Sequence, residues 1–157
     1  MTLPSLKPDY KRERVWVVGV WRSRQNPKEF QSSLHELECL IDTAGGELAG
    51  SSQQKIDSPD PRTFLGKGKV DEIALLVKIN GVQTVAIDDE LTPTQNANLE
   101  TSWNVKVLDR TAVILDIFAK RAHTREGRLQ VELAQLRYIQ PRLKGMWSHF
   151  GKQTGGI

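Results

Sequence analysis

Val15-Trp16-Val17-Val18-Gly19-Val20-Trp21 is a continuous β-prone apolar run, the pattern of a strand covered on both faces and hence of a parallel sheet. After Asn26-Pro27, the residues Phe30, Leu34, Leu37, Ile41 and Ala44 fall on one helical stripe that closes at Gly45-Gly46, where a left-handed cap is wanted. Glu47 to Lys55 is polar and serine-rich and is read as a strand near an edge, followed by a loop carrying Pro59 and Pro61. Val70, Ile73, Ala74 and Val77 repeat at helical spacing up to Asn80-Gly81, and Thr84-Val85-Ala86-Ile87 is a further strand. Thr92-Pro93-Thr94-Gln95 supplies an N-cap, a proline at the first helical position and a capping-box partner. Val105 to Leu108 forms a fourth short strand, and Asp109 caps a helix running through Val113, Ile114, Ile117 and Phe118. The resulting βαβαβαβα alternation predicts an α/β fold: a four-stranded, mostly parallel sheet with right-handed helical crossovers.

Beyond Arg121 the pattern narrows. Leu129, Leu133, Leu136 and Tyr138 or Ile139 make a thin stripe flanked by Arg125, Arg128, Gln130, Glu132, Gln135 and Arg137, which is a coiled-coil-like seam on a long basic helix. Pro141 ends it, and a glycine-rich tail with Gly145, Gly151, Gly155 and Gly156 follows. A seam asks for a partner helix, and the 157 residues end before one returns, so the chain reads as interrupted, with a second copy as one cover for the exposed leucines. The expected organisation is a flexible N-terminus (1–14), an α/β domain (15–120), a helix (121–142) and a glycine-rich loop (143–157).

Composition fits one folded domain with an extension: 38% of residues are hydrophobic and 26% charged. No stretch approaches the roughly 18 apolar residues of a membrane span, and Met1 to Arg14 has no apolar signal region, so the cytoplasm is the expected location. Cys39 is the one cysteine, which rules out an internal disulfide or a multi-cysteine metal site. The net charge of +3 is unevenly distributed: residues 109–157 hold nine Lys and Arg against four Asp and Glu, whereas residues 1–108 hold 13 against 15. An acidic body presenting a basic arm points to nucleic acid as partner.

Four groups carry candidate chemistry. Gly145 to Gln153 has five residues rather than four between its glycines and glutamine where a P-loop has Ser or Thr, so it does not fit a nucleotide phosphate. Gly66-Lys67-Gly68-Lys69 opens a helix and reads either as an anion cradle or as a basic turn. Asp88 and Asp89 follow a strand at the carboxyl edge, where they either hold magnesium and a nucleotide or favour the next helix N-terminus. Lys120, Arg121, Arg125, Arg128, Arg137, Arg142 and Lys144 form the basic set, and at about 100° per residue Arg121, Arg125 and Arg128 share one face. They suit either solvent or an RNA backbone. Trp147, His149 and Phe150 add rings that can stack on unpaired bases or pack back on the helix.

Several of these stretches resemble the N-terminal region of the HflX family of ribosome-associated GTPases. They are Thr43-Ala44-Gly45-Gly46, Phe64-Leu65-Gly66-Lys67-Gly68-Lys69-Val70-Asp71-Glu72-Ile73, Asp88-Asp89-Glu90-Leu91-Thr92-Pro93-Thr94-Gln95, Asn98-Leu99-Glu100, Asp109-Arg110-Thr111, Ile114-Leu115-Asp116-Ile117-Phe118-Ala119, Gln130-Val131-Glu132-Leu133-Ala134-Gln135-Leu136 and Pro141-Arg142-Leu143. The resemblance implies a domain facing the large ribosomal subunit and its RNA, the first helix of a helical hairpin, and a role in splitting or rescuing ribosomes. It also implies a GTPase domain, with GTP and magnesium, beyond these residues, so that this stretch binds rather than catalyses and needs no cofactor. RNA binding then falls to Lys120, Arg121, Arg125, Arg128, Arg137, Arg142, Lys144, Trp147 and His149. The alternative is an ATP-binding regulatory module using Lys67, Lys69, Asp88 and Asp89.

Overall fold

Strand order follows from the handedness of the crossovers. A computed structural model describes residues 12–143, and its first strand, β1 (Arg14–Arg22), lies inside a four-stranded sheet of order β2-β1-β3-β4. The others are β2 (Glu47–Ile56), β3 (Thr84–Ile87) and β4 (Lys106–Asp109), and every pairing is parallel. Between them run α1 (Pro27–Thr43), α2 (Lys67–Ile79) and α3 (Pro93–Trp103), and α4 (Arg110–Arg121) follows β4. The chain steps one way from β1 to β2 and then back across β1 to β3, so right-handed connections put α1 and α2 on opposite faces. The residues of β1 divide accordingly. Trp16, Val18 and Val20 join Val70, Ile73, Val77, Leu99 and Trp103 of α2 and α3, while Val15 and Val17 join Phe30, Leu34, Leu37 and Ile41 of α1 and Val113 and Ile117 of α4.

The predicted caps form as the side chains dictate. Gly45 takes a left-handed φ of +91° after α1. Thr92 and Gln95 make a reciprocal capping box on α3, and Asp109 accepts from the Ala112 amide at 2.9 Å. The polar stretch 47–56 is an edge strand, steadied where the Trp16 indole donates to Ser52 Oγ at 2.9 Å.

The arm departs from expectation at its start. Rather than one helix from residue 121, α4 ends at Arg121, Ala122 is extended, and Thr124 caps a separate helix, α5 (Arg125–Ile139), by accepting from the Gly127 amide. Pro141 lies in a 3-10 turn, Gln140–Arg142. Arg121 therefore belongs to a different helix from Arg125 and Arg128, and the shared helical face expected for the three does not form. The break turns α5 back against α4. Lys120 at the end of α4 donates to the Ala44 carbonyl near the amino edge of the sheet, while Tyr138 near the end of α5 reaches Asp109 at the carboxyl edge.

Candidate functional site

The order reverses between β1 and β3, which makes the carboxyl ends of these strands the crevice where open α/β sheets place ligands. Asp88 follows β3 there, but its carboxylate is already committed. It accepts from Arg110 at 2.6 Å and from Ser33 of α1 at 2.8 Å, and its side chain is 3% exposed. Arg110 also pairs with Glu36 at 3.0 Å. Burial works against the Arg110 charge, but the hydrogen bond and charge of Asp88, followed by those of Glu36, outweigh it and hold its pKa above the ordinary value. Asp89 pairs with Arg22 at 3.3 Å, spanning β1 and β3. A magnesium ion at this edge would have to displace two arginines, and among the described residues no group of three or more His, Cys, Asp or Glu side chains is gathered for a metal. The residues present do not fit a magnesium-nucleotide site.

Gly66 caps α2 without a side-chain bond, and its amide donates to Gln54 of β2 at 3.2 Å. Lys69 pairs with Glu72 one turn along at 2.8 Å. The preceding loop is held by α3: Gln95 donates to the Asp60 carbonyl and Asn98 to that of Arg62, both at 2.8 Å. Lys67 and Lys69 thus sit at the start of a helix on the α2/α3 face, whereas Asp88 turns towards α1 and α4. The structure does not join the two pairs.

A second constellation centres on Asp109, which is fully buried. Besides capping α4, it accepts from the Leu91 amide at 3.2 Å and the Tyr138 hydroxyl at 2.9 Å, and lies 3.5 Å from Arg142. Arg142 stacks 3.7 Å over the Tyr138 ring and donates to the Leu91 and Tyr138 carbonyls, each at 2.8 Å. Burial, then the charge and hydrogen bond of Asp109, push the Tyr138 phenol well above its ordinary pKa. Arg142, expected with the RNA-facing cations, is therefore a clamp that fastens the end of α5 to the domain. Sequence reasoning found the cap at Asp109 but missed this latch, because Leu91 and Tyr138 lie 18 and 29 residues from Asp109. The one local hint is a tyrosine on the arm's apolar stripe.

The remaining cations are distributed differently. Arg12, Arg14, Arg22 and Arg110 of the body are ion-paired, with Arg24 and Arg62 as exceptions, and Lys120 pairs with Asp116. Arg121, Arg125, Arg128 and Arg137 are exposed, and among the described residues none has a carboxylate within ion-pair distance. Beside them Leu129, Leu133 and Leu136 are about half exposed, at 55%, 48% and 58%. Lys144, Trp147, His149 and Phe150 lie outside the described residues.

A family model described as "GTP-binding GTPase N-terminal" matches residues 31–119, and one described as "GTP-binding GTPase Middle Region" matches 121–157. GTPase HflX of Flavobacterium psychrophilum is 50% identical over 145 residues, and that of Escherichia coli K12 is 48% identical over 145. This chain belongs to the HflX GTPase family. Each alignment covers 92% of the chain but 35% and 33% of those relatives, so the chain spans about a third of their length. A GTP-binding protein from Sulfolobus solfataricus, solved in complex with GDP, shares the fold with a TM-score of 0.65 at 24% identity, covering 87% of this chain and 40% of that one. The family boundary near residue 120 coincides with the helix break at Ala122–Thr124. No helix among the described residues is long and apolar enough to cross a membrane.

Proposed function

We propose that this chain is the part of an HflX-type GTPase that binds the large ribosomal subunit, contacting its RNA through the basic surface of α4 and α5 in the cytoplasm, in the service of splitting or rescuing ribosomes. GTP hydrolysis is assigned to the part of the family's length that these residues do not span. The observation that carries the reading is the sorting of the arginines: most in the body are neutralised by carboxylates, while Arg121, Arg125, Arg128 and Arg137 are exposed and, among the described residues, free of them. Unpaired guanidinium groups lose little solvation to one another and are ready for phosphate oxygens, which they bind in a bidentate fashion. Along α5, at about 1.5 Å and about 100° per residue, Arg125 and Arg128 sit about 5 Å apart along the axis and about 60° apart around it, close enough for one stretch of backbone to meet both. The Asp109 latch fixes this surface relative to the sheet.

Co-sedimentation of the chain with isolated large subunits tests the proposal. The Arg125→Glu/Arg128→Glu variant should lose most binding while its thermal midpoint stays within a few degrees. Undiminished binding by a folded variant contradicts it.

A further inference from the structure

Between α4 and α5 lies a groove of about 390 Å³, within the range of small-ligand clefts, about 300–1,000 Å³. Its walls include Leu115, Phe118, Arg121, Gly127, Gln130 and Ala134. Phe118 belongs to the stripe that packs α4, yet the residue is 54% exposed while neighbouring Ile117 is buried. Ala122, Gly127 and Ala134 make part of the wall small-sided. An exposed ring beside a small-residue wall, an amide and a guanidinium is the equipment for holding a planar, polar-edged group against a phosphate backbone.

We infer that this groove takes a single unpaired RNA base. The base stacks on Phe118, its edge is met by the Gln130 amide, which both donates and accepts, and its phosphate lies against Arg121. This rests on the RNA-binding reading above and adds a preference to it: RNA with an extruded or looped nucleotide over a continuous duplex. Arg121 and Gln130, both exposed at the groove, match the phosphate and base edge of a nucleotide and nothing on an apolar helix, which favours a nucleotide as occupant.

Affinities of the 157-residue chain for two labelled hairpin RNAs, one fully paired in its stem and closed by a covalent linker and the other carrying a one-nucleotide bulge, separate the contributions. Phe118→Ala should weaken binding of the bulged RNA about tenfold, as expected for loss of one base stack, and leave the paired RNA unchanged. Ala134→Leu, which adds a bulkier side chain to the groove wall, should show the same selectivity. Equal losses on both RNAs, or none on either, overturn the base pocket. If the unaltered chain binds neither RNA, the RNA-binding reading itself fails. If charge reversal at Arg125 and Arg128 weakens both RNAs while Phe118→Ala and Ala134→Leu change neither, only the pocket fails.

Discussion

Replacing Asp109 by alanine removes four interactions from one buried point. The α4 cap contributes about 1 kcal/mol. The Leu91 amide and Tyr138 hydroxyl, bonded at 3.2 and 2.9 Å, would each be left unsatisfied at a cost of about 1 kcal/mol or more. Arg142 would lose its buried counter-charge, but its side chain is 16% exposed, so water recovers part of its solvation and its share stays below the roughly 3–5 kcal/mol of a fully buried broken pair. The sum is about 4 kcal/mol, and at about 2–4 °C per kcal/mol for a chain of this size the midpoint should fall by roughly 8–16 °C. Asp109→Asn keeps an acceptor for the Ala112 amide and should cost about half as much. Thermal unfolding followed by circular dichroism measures the shift. Hydrogen exchange on the same variants should show α5 amides exposed well before those of β1. A loss under about 3 °C for Asp109→Ala, or unchanged protection of α5, would refute the claim that this carboxylate fastens the arm.

Three further outcomes concern Tyr138, Glu13 and Gly50. Because the folded state raises the Tyr138 pKa, its neutral form stabilises the fold fully below about pH 10; that contribution is lost as pH rises further, so stability should fall at alkaline pH in the unaltered chain and less in Tyr138→Phe, as read by midpoint against pH. Glu13 is raised by burial but lowered more by the Thr84 hydroxyl and Lys106, for a net pKa below its ordinary 4.5. Its contribution is therefore present above that value and lost as pH falls through the folded pKa, and Glu13→Gln should flatten the acid limb of the same curve. At Gly50 an added Cβ would lie 2.3 Å from the Trp16 ring, so Gly50→Ala should cost about 1–3 kcal/mol by overpacking, measured by urea denaturation.

How far the sequence revealed these features depends on how local their causes are. The α1 stripe, the Thr92 capping box and the β1 run were legible because each is written within a few neighbouring residues, and their burial is as the periodicity implies. The break at Ala122–Thr124 was not, since an apolar stripe that passes from one helix to the next hides the change of axis, although Thr124 three residues before Gly127 is a capping signal in retrospect. Asp88 and Arg142 show the larger difficulty. Their residue types suit metal and phosphate, and only the fold reveals that Arg110 and Asp109 already engage them. The same holds for Phe118, whose apolar character and helical spacing suggest core, while the turn of α5 leaves it at the rim of a groove.

The salt dependence of binding to large-subunit RNA tests the central claim most directly. If arginines of the arm meet phosphates, the logarithm of the association constant should fall linearly with that of salt, and Arg125→Glu/Arg128→Glu should flatten the slope by about 1.4–1.8, the counterion release of two contacts. A slope near zero for the unaltered chain, or an equal slope for the variant, would contradict the assignment of RNA binding to this surface.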